Sequence, residues 1–194
     1  MGQRAHFFAA ALSAPIESLR QRFNKQGLIL EGVEVPATAM VREFVVNRGP
    51  SAHPVMLLHV GDQMTHLVLI SGEHPYIARD FPVGLHQFTY HWQMGRRCSE
   101  EEALHEIRSS DVCHGGHLEP IISEFLTELV RTARSFPIPV QEIYLSGTGV
   151  LPGLEKRLGS ETGLATIIDE SRSVQWRKPA AETHHYKLPL GLAL

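Results

Sequence analysis

The apolar and polar positions of this chain change period several times, and the densest pattern lies between Pro54 and Gly84. An apolar run at 55–58 reads as a buried strand, 59–64 as a tight polar loop and 65–71 as an alternating strand, after which Gly72 turns the chain into a third strand at 76–81. Upstream, 6–12 is almost wholly apolar and reads as a buried strand. Ser13, Ala14 and Pro15 then open a helix with Ile16, Leu19 and Phe23 on one stripe and Gly27 at its end, and 28–35 reads as a second strand. Pro36 begins another helix, in which Ala37, Met40, Val41, Phe44 and Val45 recur at helical spacing until 47–50 ends it.

Beyond Gly84, Phe88, Tyr90 and Trp92 stand at alternate positions, so 85–97 is predicted as a strand with one packed face rather than a platform for stacking bases or sugars. Ser99 and Glu102 form a capping box for a helix through Ile107, and 108–117 is short and polar. Glu119 and Pro120 open the clearest helix, which runs to Arg134 with Ile122, Phe125, Leu126, Leu129, Val130 and Ala133 on its apolar face and a solvated charged face opposite. Strands are predicted at 141–145 and 164–169, separated by a glycine turn and a helix with Pro152 in its first turn. The pattern describes an α/β fold: a mixed sheet of 55–58, 65–71, 76–81, 141–145 and 164–168, covered by the 119–134 helix.

Composition narrows the partners. With 194 residues and 43% hydrophobic content, the chain can bury a sizeable core as one medium domain or two small lobes. A net charge of −3 gives no electrostatic footprint for nucleic acid or an anionic membrane surface. Cys98 and Cys113 are too few for a disulfide framework and suggest a reducing compartment, with a single bridge between them left open. No apolar run approaches the roughly 20 residues of a membrane span, and no signal-peptide pattern opens the chain, so a soluble cytoplasmic protein is expected.

Two glycine motifs carry the chemistry. The loop at Gly61 offers backbone N–H groups beside a residue that permits close approach of an anion. His59-Val60-Gly61-x-x-x-Thr65, followed by a strand, a glycine turn and Arg79-x-x-x-x-Gly84, resembles the second phosphate loop of actin-like ATPases, where the pattern is Asp-Ile/Val-Gly-x-x-x-Thr. The stretch from Ile143 to Leu154, with Gly147, Thr148, Gly149, Pro152 and Gly153, joins a strand to a glycine turn and a helix whose N–H dipoles favour an anion, and it resembles the adenosine motif of the same superfamily. Within that superfamily the chain is similar to the PilM family of type IV pilus assembly proteins, related to FtsA and to the cytoplasmic actin-like domain of GspL-type secretion proteins. Gly27 and Leu28 sit where relatives carry a Gly-Leu pair, and 191–194 resembles the start of the family's last helix.

The resemblance covers the second half or so of an actin-like (ribonuclease H-like) ATPase fold. It implies that 1–48 is the remainder of the first lobe, a separate and smaller body. It also implies that 49–182 is the second lobe with a reduced insertion subdomain at about 86–118, and that 183–194 returns to the first lobe. A nucleotide site is implied at Gly61, Thr65, Gly147, Thr148 and Gly149, with ATP and magnesium as the ligands such a site takes. Two positions depart from the pattern. His59 stands where an Asp would hold a metal-bound water, and imidazole is a poor partner for Mg²⁺. Thr148 replaces the second glycine, and a β-branched residue disfavours positive φ, so the loop is expected to be reshaped or partly filled.

Nothing in 1–12 matches the Asp-x-Gly loop that opens such proteins, from trimming or from natural loss of the first half. The strand at 6–12 would then have an open edge that needs a second copy, another segment or a longer chain to pair with it. The implied function is a scaffold at the inner face of a bacterial inner membrane. It would recruit the cytoplasmic segment of a PilN-like pilus or secretion protein, in concert with the assembly ATPase and with a homodimer left open. No catalytic residue is assigned and no hydrolysis is expected. The rival reading is a nucleotide-hydrolysing or sugar-kinase-type enzyme. Asp111, Cys113, His114 and His117 offer zinc ligands or a paper Cys-His-Asp triad, against which the glycines between them suit a flexible loop.

Overall fold

A five-stranded sheet organises the computed structural model of the chain, which describes residues 8–172 and 182–193. Its strands are β1 (Ser51–Val60), β2 (Thr65–Gly72), β3 (His74–Phe81), β4 (Glu142–Ser146) and β5 (Ala165–Ile168), in the order β3-β2-β1-β4-β5. The first three form an antiparallel meander, and β4 and β5 join it parallel to β1. The helices are α1 (Ser13–Lys25), α2 (Pro36–Arg48), α3 (Leu85–Arg96), α4 (Glu100–Ser109), α5 (Glu119–Arg134), α6 (Leu154–Thr162) and α7 (Lys187–Ala193).

Strand alternation divides the core between two faces. Met56, Leu58 and Val60 of β1 and Leu67 and Leu69 of β2 point to one side, where Phe88, Ile107, Ile122, Phe125, Leu129, Leu154 and Leu158 cover them from α3, α4, α5 and α6. The intervening Val55, Leu57, Val68 and Ile70 point the other way, onto Ala37, Met40, Val41 and Phe44 of α2. Both faces of the centre are therefore apolar, as a sheet covered by helices on each side requires. Each fully buried aliphatic or aromatic side chain here contributes about 1.5–3 kcal/mol of transfer free energy. The helix expected within a separate small lobe, α2, thus lies directly on the sheet, and α7 packs on α2, with Gly191 against the backbone of Ala39.

Three strand expectations are corrected. Residues 85–96 form α3, not a strand. Leu85, Phe88 and Thr89 are buried at helical spacing, Trp92 packs beside them, and Tyr90 is 53% exposed where alternation would have buried it. The Gly84 N–H donates to Gln87 Oε1 at 3.0 Å, which closes the first turn. Residues 28–35 lie in none of the strands, and the same holds for 8–12; His6 and Phe7 fall outside the described residues. Their apolar content is that of strands, yet a strand exists only where a neighbour takes its hydrogen bonds. The region about 86–118 is helical, with Leu85, Ile107, Val112 and Leu118 sunk into the sheet's core.

Candidate functional site

Both glycine motifs sit at the carboxyl ends of adjacent parallel strands, β1 and β4, where open α/β sheets place their ligands. The structure brings Gly61, Thr65, Gly147, Thr148 and Gly149 together, but through backbone-to-backbone packing. The Gly61 N–H donates to Met64 O at 2.9 Å, the Gly149 N–H to Val60 O at 2.8 Å and the Gly147 N–H to His184 O at 3.0 Å. Leu85 and His86 N–H groups at the start of α3 donate to Gly61 O and Asp62 O. The N–H of Gly61 itself is thus bound internally. Glycine is demanded at 147 by φ +104° and by the carbonyl of Val60, which lies 2.1 Å from where a Cβ would stand. Gly84 meets the same requirement for approach, 2.5 Å from Asp62 O.

Thr148 and His59, the two positions that depart from the motifs, are both tied into the fold. Thr148 is not in the left-handed region, because the turn places its positive φ at Gly147; its carbonyl accepts from Arg108 Nη2 at 3.1 Å. Thr65 is buried and donates to Val83 O at 2.7 Å, tying the start of β2 to the loop before α3. His59 is paired in register with Ser146 across β1 and β4, and its Nδ1 lies 3.0 Å from Ser146 Oγ. Burial, with smaller contributions from the nearby His66, His184 and His185, lowers the His59 pKa to about 4. The ring is neutral near pH 7, stacked 6.3 Å from His66, which in turn bonds Asp80 at 2.7 Å.

Sequence reading missed this histidine cluster. His66 looked like an alternating strand residue, and the pair His184-His185 gave no local signal of contact with residues more than a hundred positions away. His184 is buried; its N–H and Nδ1 meet the Glu170 carboxylate, both at 2.9 Å. A cleft of about 270 Å³ beside the second glycine turn is lined by Arg108, Val150, Leu151, Glu155, Glu182 and His184, among others. The end of α6 that was expected to face a bound anion instead has the Asp111 carboxylate seated against Gly153, its N-cap.

Asp111, Cys113, His114 and His117 do not converge. Among the described residues no group of three or more His, Cys, Asp or Glu side chains could hold a metal ion. His114 Nδ1 bonds Asp111 Oδ1 at 3.1 Å, while the His117 ring packs edge-on against Trp92. Burial pushes the Cys113 thiol up to about 12, which suits a core residue and not a nucleophile. No helix among the described residues is long and apolar enough to cross a membrane.

No protein-family model and no curated protein matches the chain. Solved structures do. A "PilM-PilN type IV pilus biogenesis complex" aligns with TM-score 0.79 at 20% identity, covering 92% of this chain and 56% of that one. The chain has the actin-like ATPase fold. The ethanolamine utilization protein EutJ of Carboxydothermus hydrogenoformans aligns at 0.67 with 16% identity over 94% and 61% of the two chains. MreB5 of Spiroplasma citri bound to ADP aligns at 0.69 with 13% identity over 95% and 65%. This chain therefore spans less than two thirds of each actin-like neighbour, and identities this low carry the fold and no more.

Proposed function

We propose that this actin-like domain is a non-hydrolysing assembly scaffold that binds the cytoplasmic segment of a PilN-like partner at the inner face of a bacterial membrane, in a type IV pilus or type II secretion platform. The observation that carries the reading is the glycine junction. Its N–H groups at 61, 147 and 149 are bound internally, and a neutral His59, bonded to Ser146, stands where a carboxylate would organise a metal and its water. Hydrolysis of a nucleoside triphosphate depends on such a metal and a positioned water. The fold shared with a PilM-PilN complex is what suggests a PilN-like partner for this reading.

The test has two arms. A synthetic cytoplasmic segment of a PilN-type protein is titrated calorimetrically, with binding at about micromolar Kd or tighter expected. Phosphate release from ATP and Mg²⁺ is followed over hours, with no turnover above buffer expected. Turnover that disappears in Gly61→Trp would establish an enzyme, and a PilN segment that fails to bind would remove the scaffold reading.

A further inference from the structure

We propose that the cleft between α5 and α6 binds a small amphipathic carboxylate, its anionic head on Arg134 and Arg157 and its apolar body along the trough toward Leu164. The sequence puts Arg131 and Arg134 on the charged face of α5 and gives no sign of what stands beside them. The fold sets α6 there: Arg157 Nη2 donates to Glu119 Oε1 of α5 at 2.7 Å and meets Glu161 Oε1 of its own helix at 3.3 Å. Between the two helices lies a cleft of about 500 Å³, lined by Leu126, Val130, Arg131, Arg134, Arg157 and Glu161 among others. It adjoins a second space of about 390 Å³, which shares Val130, Arg134 and Glu161 with it and continues past Ala133, Phe136, Val140 and Leu164. Apolar lining with a few placed polar groups, in a space of this size, is the usual make-up of a small-molecule site.

The charges around the cleft select the head group. Arg131 is paired with Glu128 on its own helix, and Arg157 Nη2 with Glu119 and Glu161. Two donors remain. The Arg134 side chain has no hydrogen bond or ion pair among the described residues, and Arg157 Nε is buried without a hydrogen-bond partner. A buried donor without an acceptor is unfavourable, and a carboxylate that accepts from it and from Arg134 removes that cost through charge-assisted bonds. One cation without a counter-ion matches one negative charge. A phosphate monoester would bring nearly two, close to Glu119, Glu128 and Glu161, and would be repelled. The apolar body follows from the adjoining trough, where Phe136 and Val140 are buried beside the half-buried Ala133 and Leu164. None of these residues belongs to the glycine junction, so the site and the scaffold reading stand or fall separately.

The experiment titrates octanoate into the isotope-labelled full chain and follows its amide resonances, with the neutral octanamide and with octyl phosphate run alongside. Saturable shifts confined to 123–136 and 157–164 are expected for octanoate, with a Kd of about 1 mM or tighter. Octanamide should bind at least about tenfold more weakly, and octyl phosphate no more tightly than octanoate. Arg134→Gln, at an exposed position, should weaken octanoate about tenfold and leave the resonances of β1–β5 in place. Val130→Trp, which fills the cleft, should abolish the shifts. Shifts centred elsewhere or spread over the surface, or no binding at all, would overturn the inference. So would equal affinity for octanamide, tighter binding of octyl phosphate, or an Arg134→Gln variant that binds as the parent does.

Discussion

His59 shows what burial does to an imidazole at the carboxyl end of β1. An imidazole in the unfolded chain titrates near 6.5, and burial holds that of His59 at about 4. Between these values the unfolded state takes up a proton that the folded state refuses. Its contribution is thus complete above about pH 6.5 and is lost as pH falls toward 4, amounting to about 3 kcal/mol if the whole shift is realised. His185, lowered chiefly by burial and then by His184, acts in the same direction. His59→Gln should flatten the dependence of urea-derived unfolding free energy on pH between 6.5 and 4 relative to the parent chain. An unchanged slope would show that acid sensitivity comes from elsewhere.

At the scale of elements, the junction of the β1 and β4 loops tests whether glycine at a loop is permissive or obligatory. Gly147→Ala would put a methyl group 2.1 Å from Val60 O at φ +104°, and should cost about 2–4 kcal/mol in denaturant unfolding. Gly72→Ala has positive φ but nothing within 4 Å, and should cost about 1 kcal/mol. Equal losses would mean that backbone strain, and not the interlock, demands glycine at 147. What was legible in the sequence follows the same division. The helix Glu119–Arg134 and the Ser99 capping box were readable because their signals are local. α3 was misread because its aromatic residues alternate, although Leu85, Phe88, Thr89 and Trp92 were present at helical spacing. The stretches 8–12 and 28–35 were misread because apolar content reports a preference for burial and says nothing of whether a pairing strand is at hand. The glycine motifs were visible as loops. Their closure was not, since the acceptors come from Met64, Val60 and the C-terminal His184.

For the molecule as a whole, a buried ionic network joins the C-terminal segment to the sheet. Lys187 of α7 forms ion pairs with Glu43 of α2 and, at 3.0 Å, with Asp169 beyond β5; Asp169 also meets Arg48 Nε at 2.7 Å, and Ser171 Oγ donates to Glu43 Oε1 at 3.1 Å. Glu43, Asp169 and Lys187 are each at most 5% exposed. Three charges without solvent are held by one another, so the arrangement adds little net stability over apolar packing but makes each partner dependent on the rest. Lys187→Met removes the cation shared by two carboxylates and should cost about 3–5 kcal/mol near pH 8, with α7 and the 183–186 turn losing amide protection before the β-strands do. Burial already raises the Glu43 pKa, and losing its cation raises it further, so protonation can relieve the variant. A carboxyl whose folded-state pKa is raised gives stability that is present at low pH and lost as pH rises through that pKa. The deficit of Lys187→Met against the parent should therefore shrink from pH 8 to pH 5, and Glu43→Leu in the same chain should recover part of it at pH 8. A deficit below about 1 kcal/mol, or one that does not change with pH, would mean that α7 is held by the close backbone approach of Gly191 to Ala39 and by Leu188 against the apolar cluster rather than by the network.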